Sequence, residues 1–72
     1  MANVPVEIKK VLIENEIALH NNSAYQLSLR YRVNKKLGAS GEELKALEDE
    51  MQKHEQAIDI LNDELNELES KE

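Results

Sequence analysis

The chain has 72 residues, no Cys, Phe or Trp, and a formal net charge of −6. One small domain is the upper bound, disulfide or thiolate-metal staples are excluded, and large aromatic-lined pockets within one copy are not expected. No run approaches the roughly 18 apolar residues of a membrane span, and Glu7, Lys9 and Lys10 interrupt any signal-peptide core after Pro5. A soluble cytoplasmic protein without membrane contact is the expectation.

The first predicted element is a helix over about 4–37. Asn3 is placed to cap it, and Pro5 fits a first turn, where its missing N–H has no partner to lose. Asn21, Asn22 and Ser23 weaken a helix interior. The apolar phase of Ile13 and Ile17 nevertheless continues through Ala24, Leu27 and Tyr31, which favours one unbroken helix. Lys35 and Lys36 complement the dipole at its end, and Gly38 supplies the left-handed residue that stops it.

Ser40 and Glu43 form an S-x-x-E capping box, with Glu42 and Glu43 in the first turn of a second helix over about 41–69. So short a connection makes antiparallel neighbours. Leu44, Leu47, Met51, His54, Ile58, Leu61, Leu65 and Leu68 follow at alternating spacings of three and four. That heptad keeps one narrow apolar stripe on one side, the seam of a coiled coil. Fraying is expected from Ser70 onward.

The first helix is apolar on two sides. Val6, Ile13, Ile17, Ala24, Leu27 and Tyr31 gather on one; Val4, Ile8, Val11, Leu12, Leu19, Leu29, Val33 and Leu37 gather roughly opposite. One side meets the seam of the second helix. The other requires another molecule. The fold expected is therefore an all-α antiparallel helical hairpin that assembles into a homo-oligomeric helical bundle, with a dimer as the simplest closed form. Which side faces the chain's own second helix is left open by the sequence.

Charge agrees with an antiparallel hairpin. Residues 1–37 hold six Lys/Arg against three Asp/Glu, and residues 38–72 hold three against twelve, so +3 faces −9. Folding at the turn brings Arg30, Arg32, Lys35 and Lys36 toward Glu42 to Glu50, and Lys9 and Lys10 toward Glu67 and Glu69. Each exposed pair contributes only about 0–1 kcal/mol, so these charges choose orientation. The segregation also argues against direct duplex DNA binding.

Chemistry is sparse. His20 and His54 are expected to face each other only with a register offset. The Glu-x-x-His pattern of di-metal bundles is missing, since Met51 and Ile17 stand three residues before the two His. No nucleophile stands beside a base and no Gly-rich phosphate loop occurs. Neither metal, cofactor nor catalysis is expected. The polar residues His20, His54, Asn15, Asn22 and Gln26 within the apolar sides read as register-setting. Two surfaces remain as candidates. Asn21, Tyr25, Ser28, Arg32, Lys35 and Lys36 run along one side of the first helix and combine an aromatic face, an amide, a hydroxyl and cations suited to a nucleotide or phosphate. Asp49, Gln56, Asp59, Asp63 and Glu67 make an acidic row that could mimic nucleic-acid phosphates or bind a basic protein.

In organisation, the stretch from Tyr25 to Gly38, followed by a short loop and a Leu-heptad helix, resembles the small helical-hairpin proteins of phage and prophage genomes, some of which are similar to anti-CBASS sponges. That resemblance implies a host-cytoplasmic oligomer holding cyclic nucleotides between protomers through Tyr and Lys or Arg, here Tyr25 and Arg32. The residues themselves point first to a non-catalytic interaction or inhibitor protein that self-associates, with the nucleotide sponge and the acidic decoy as alternatives.

Overall fold

The computed structural model describes residues 3–70, which form two helices, α1 (Val6–Lys36) and α2 (Gly41–Ser70). They pack side by side as an antiparallel hairpin of 51 × 20 × 14 Å. No helix among the described residues is long and apolar enough to cross a membrane.

The start of α1 differs from expectation. Pro5, at φ −58° and ψ 149°, is the N-cap, and no side chain caps the helix. Asn3 therefore does not serve as cap. Pro5 still contributes its carbonyl, which accepts the Lys9 N–H at 3.0 Å. Its fixed φ suits the last extended residue before a helix, and the free N–H groups of the first turn have Glu7 beside them.

From Val6 the helix runs 31 residues without interruption, through Asn21, Asn22 and Ser23. The reason lies on its inner face. Lys10, Ile13, Ile17, His20, Ala24, Leu27, Tyr31 and Asn34 are each partly or wholly buried, at strict three-four spacing. α1 thus carries its own heptad, and contacts on either side hold the polar stretch helical. Of the two apolar sides, the one containing Ile13, Ile17, Ala24, Leu27 and Tyr31 faces α2; Val6, at the start of the helix, stays 37 % exposed.

The connection is a complete Schellman motif followed by a cap. Gly38 adopts φ 86°, the Gly38 N–H reaches the Lys35 carbonyl at 3.2 Å, and the Ala39 N–H reaches the Asn34 carbonyl at 2.9 Å. Two residues later, Ser40 Oγ accepts the Glu43 N–H at 3.2 Å and the Ser40 carbonyl accepts the Leu44 N–H at 3.1 Å. Only Leu37 to Ser40 separate the helices, so the turn fixes their register rigidly.

On α2 all eight predicted seam residues, Leu44, Leu47, Met51, His54, Ile58, Leu61, Leu65 and Leu68, are half-buried. Ser70 does not fray. It is helical, with its Oγ donating to the Glu67 carbonyl at 3.1 Å, and the two residues beyond it lie outside those described.

Candidate functional site

Three features of the hairpin bear on function: a polar layer in the seam, an apolar outer face on α1, and the Tyr25–Lys36 stripe.

The polar layer is made by His20 and His54. Their Nδ1 atoms lie 2.8 Å apart and their ring centroids 5.0 Å apart, at 48°. This corrects the expected offset: positions 20 and 54 each stand 17 residues from Leu37, so the tight turn sets them level. At that distance one Nδ1 donates its proton and the other accepts it, which satisfies two nitrogens within a mostly apolar seam. Among the described residues no group of three or more His, Cys, Asp or Glu gathers to hold a metal ion.

The outer face of α1 is the larger feature. Ile8, Val11, Leu12, Leu19, Leu29 and Val33 are between 41 % and 58 % exposed. In the heptad of the inner seam these positions lie on the side away from α2. Between Ile8 and Leu29 that side carries no charge; its other members are Asn15, Ala18, Asn22, Tyr25 and Gln26. The corresponding outer side of α2 is polar, with Lys45, Asp49, Lys53, Asp59, Asp63 and Glu67 around a single large apolar residue, Ile60. The two helices are therefore unlike: α2 is finished by its contact with α1, whereas α1 is apolar front and back. Among the described residues of the single chain only Leu27, at 5 % exposure, is buried.

The stripe splits into two columns. Tyr25 and Arg32, one heptad apart, stand on the edge of the outer face, and the Tyr25 ring is 60 % exposed. Asn21, Ser28 and Lys35 form the neighbouring column nearer α2, with Lys36 exposed beyond them. Ser28 Oγ donates its proton to the Tyr25 carbonyl at 2.7 Å, which leaves its lone pairs to accept. Lys35 leans over a different ring, its Nζ 6.0 Å from the centroid of Tyr31, at the limit of a cation–π contact. The stripe thus presents Asn21, Tyr25, Arg32 and Lys36 as free of these contacts.

Tyr31 ties the helices near the turn. Its hydroxyl donates to the Glu48 carboxylate, and that bond, with some burial and the negative charge alongside, raises the phenol above its ordinary value. The contact with α2 here is made by a phenol and is not an ion pair of Arg30, Arg32, Lys35 or Lys36, with Lys35 above the ring. At the opposite end Lys9 shares a groove with Leu12, Ile13, Glu64 and Leu68. An open depression lined by Glu48, Asp49, Met51, Gln52 and Glu55 belongs to α2 alone.

The chain matches no known family model, and neither a curated protein nor a solved structure matches it.

Proposed function

We propose that the protein is a non-catalytic interaction module that works as a self-associated helical bundle, joined through the outer face of α1. The carrying observation is that face itself: Ile8, Val11, Leu12, Leu19, Leu29 and Val33, exposed together on a side with no charge from Ile8 to Leu29. Apolar patches of this size on soluble proteins mark interaction sites. Area supports a partner of matching size. The hairpin exposes 5766 Å², whereas a compact monomer of 8.2 kDa exposes about 4500 Å². The excess, about 1200 Å², is on the order of one partner's share of a specific interface. A second copy is the simplest occupant, because it brings an identical uncovered face.

Sedimentation equilibrium on the wild-type chain and on a Leu12→Glu/Leu19→Glu variant tests the reading. The wild type sediments as a multiple of the chain mass, and the variant, with two carboxylates on the face, sediments as a monomer. A wild-type chain that remains a well-folded monomer at high micromolar concentration removes the proposal.

A second reading draws support from the exposed Tyr25 ring standing one heptad from Arg32 at the edge of the same face. In an oligomer this edge adjoins a neighbouring copy, and an aromatic plane beside a guanidinium suits a nucleotide base and phosphate. The function would then be sequestration of a cyclic or linear nucleotide. A thermal-shift series with such nucleotides, on wild type and on Tyr25→Ala, decides it: stabilisation by none of them ends this reading without touching the first.

A further inference from the structure

We infer that two copies pair with their α1 helices antiparallel, the two-fold axis passing between Ala18 and Leu19. This rests on the self-association proposed above and specifies its partner geometry.

The centre line of the outer face of α1 reads Ile8, Asn15, Asn22, Leu29, each seven residues from the next. Val11, Ala18 and Tyr25 flank it on one side, and Leu12, Leu19 and Gln26 on the other. Orientation follows from charge. Arg30, Arg32, Lys35 and Lys36 crowd the last turns of α1, and no Asp or Glu occurs from Ile17 to Gly41. A parallel pair sets these four cations beside their own copies. An antiparallel pair sends them to opposite ends, each group beside the partner's first turn and its Glu7.

Register follows from the polar positions. With the axis between Ala18 and Leu19, Asn15 lies opposite the partner's Asn22, Ile8 opposite the partner's Leu29, and Leu12 opposite the partner's Tyr25. Apolar meets apolar, and the two amides meet each other, as a core Asn does when it fixes coiled-coil register. A slide of one heptad one way brings Asn15 against the partner's Leu29 and Ile8 against the partner's Lys36, and a slide the other way brings Asn22 against the partner's Ile8; either leaves an amide without a partner. The same arrangement keeps the two acidic α2 helices on the outside of the assembly, away from each other.

The chain lacks Cys, so introduced thiols report on this directly. Packed helices lie about 8–10 Å apart, which brings facing Cα atoms within about 6 Å, inside disulfide reach. Three variants, Ile8→Cys, Leu29→Cys and Asn15→Cys, are oxidised with glutathione disulfide singly and in equimolar mixtures, after circular dichroism has confirmed their helix content and sedimentation their mass. The Ile8→Cys/Leu29→Cys mixture is expected to form its mixed disulfide at least about tenfold faster than either variant links to itself, the gain expected of a positioned over an unpositioned contact. Self-linking of Leu29→Cys at the mixed rate means a parallel pair and overturns the inference. Faster linking of Asn15→Cys with Leu29→Cys means a shifted register and overturns it too. Dimer mass with no linking in any combination places the interface elsewhere. Monomer mass for the unmodified chain instead removes the self-association beneath the proposal.

Discussion

His20 and His54 meet Nδ1 to Nδ1 at 2.8 Å across the hairpin, and each is the other's partner in a seam whose remaining members are mostly aliphatic. A pair of this kind is asymmetric in its energetics. Removing one imidazole leaves the second with an unmet ring nitrogen, which costs about 1 kcal/mol at a half-buried position, while removing both leaves nothing unmet. His20→Leu and His54→Leu singly are therefore expected to lower the urea midpoint, and the double variant to return to the wild-type midpoint or pass it. The coupling between the two sites, read from the four-member cycle, should be about 1 kcal/mol or more. Additive losses in the double variant would show that the two rings are stabilised by other neighbours.

The turn offers a sharper contrast between its two glycines. Gly38 sits at φ +86° with open space around the position of an added Cβ, and Gly41 has open space as well but no such backbone. The same substitution then acts in opposite directions. Gly38→Ala should cost about 1 kcal/mol, the penalty of a side chain in the left-handed region. Gly41→Ala, at the first position of α2, should gain up to about 1 kcal/mol through helix propensity and a less flexible unfolded chain. Thermal unfolding of both variants checks the pair, and equal shifts would mean that the Schellman geometry does not hold in solution.

Much of this architecture could be read in the residues. The α2 seam stood out because its apolar residues lie on one side only, so periodicity and burial coincide from Leu44 to Leu68. The turn was legible because Gly38, Ser40 and Glu43 each answer a specific backbone need. α1 was harder. With apolar residues front and back, its periodicity does not say which side faces α2, and the seam passes through Lys10 and Asn34, whose polarity hides them. The meeting of His20 with His54 was missed because a helical wheel gives angle and not height. Height is set by the turn, and counting 17 residues outward from Leu37 in each direction would have found it. The N-cap was misassigned because Asn3 is good capping chemistry in the wrong place: Pro5, with its extended ψ, delays the helix to Val6. In the stripe, exposure of Tyr25 and Arg32 followed from helical angle, whereas the bond from the Ser28 hydroxyl to the Tyr25 carbonyl is a local backbone choice that side-chain spacing does not encode.

The bond from Tyr31 to Glu48 predicts a specific pH dependence. Ionising the phenol would replace a hydrogen bond with two anions facing each other, so the folded chain holds Tyr31 neutral and its titration lies above the ordinary 10.0. The sign follows from linkage. A phenol harder to ionise in the folded state than in the unfolded one contributes stability that is fully present below the unfolded value. That contribution is lost as pH rises through the folded one. Wild-type stability should therefore fall as pH passes about 10, and Tyr31→Phe should show a shallower fall over the same range. The difference between the wild-type and Tyr31→Phe curves is the informative quantity. A direct reading comes from phenolate absorbance in a Tyr25→Phe background, where Tyr31 is the only tyrosine. Glu48→Gln should lower that titration toward the ordinary phenol value, because the replacement amide still accepts a hydrogen bond but brings no charge. The effect should shrink in molar salt, since the pair is open to solvent. A titration that Glu48→Gln leaves unmoved would mean that the two side chains do not meet in solution and that the seam alone holds the turn end of the hairpin together.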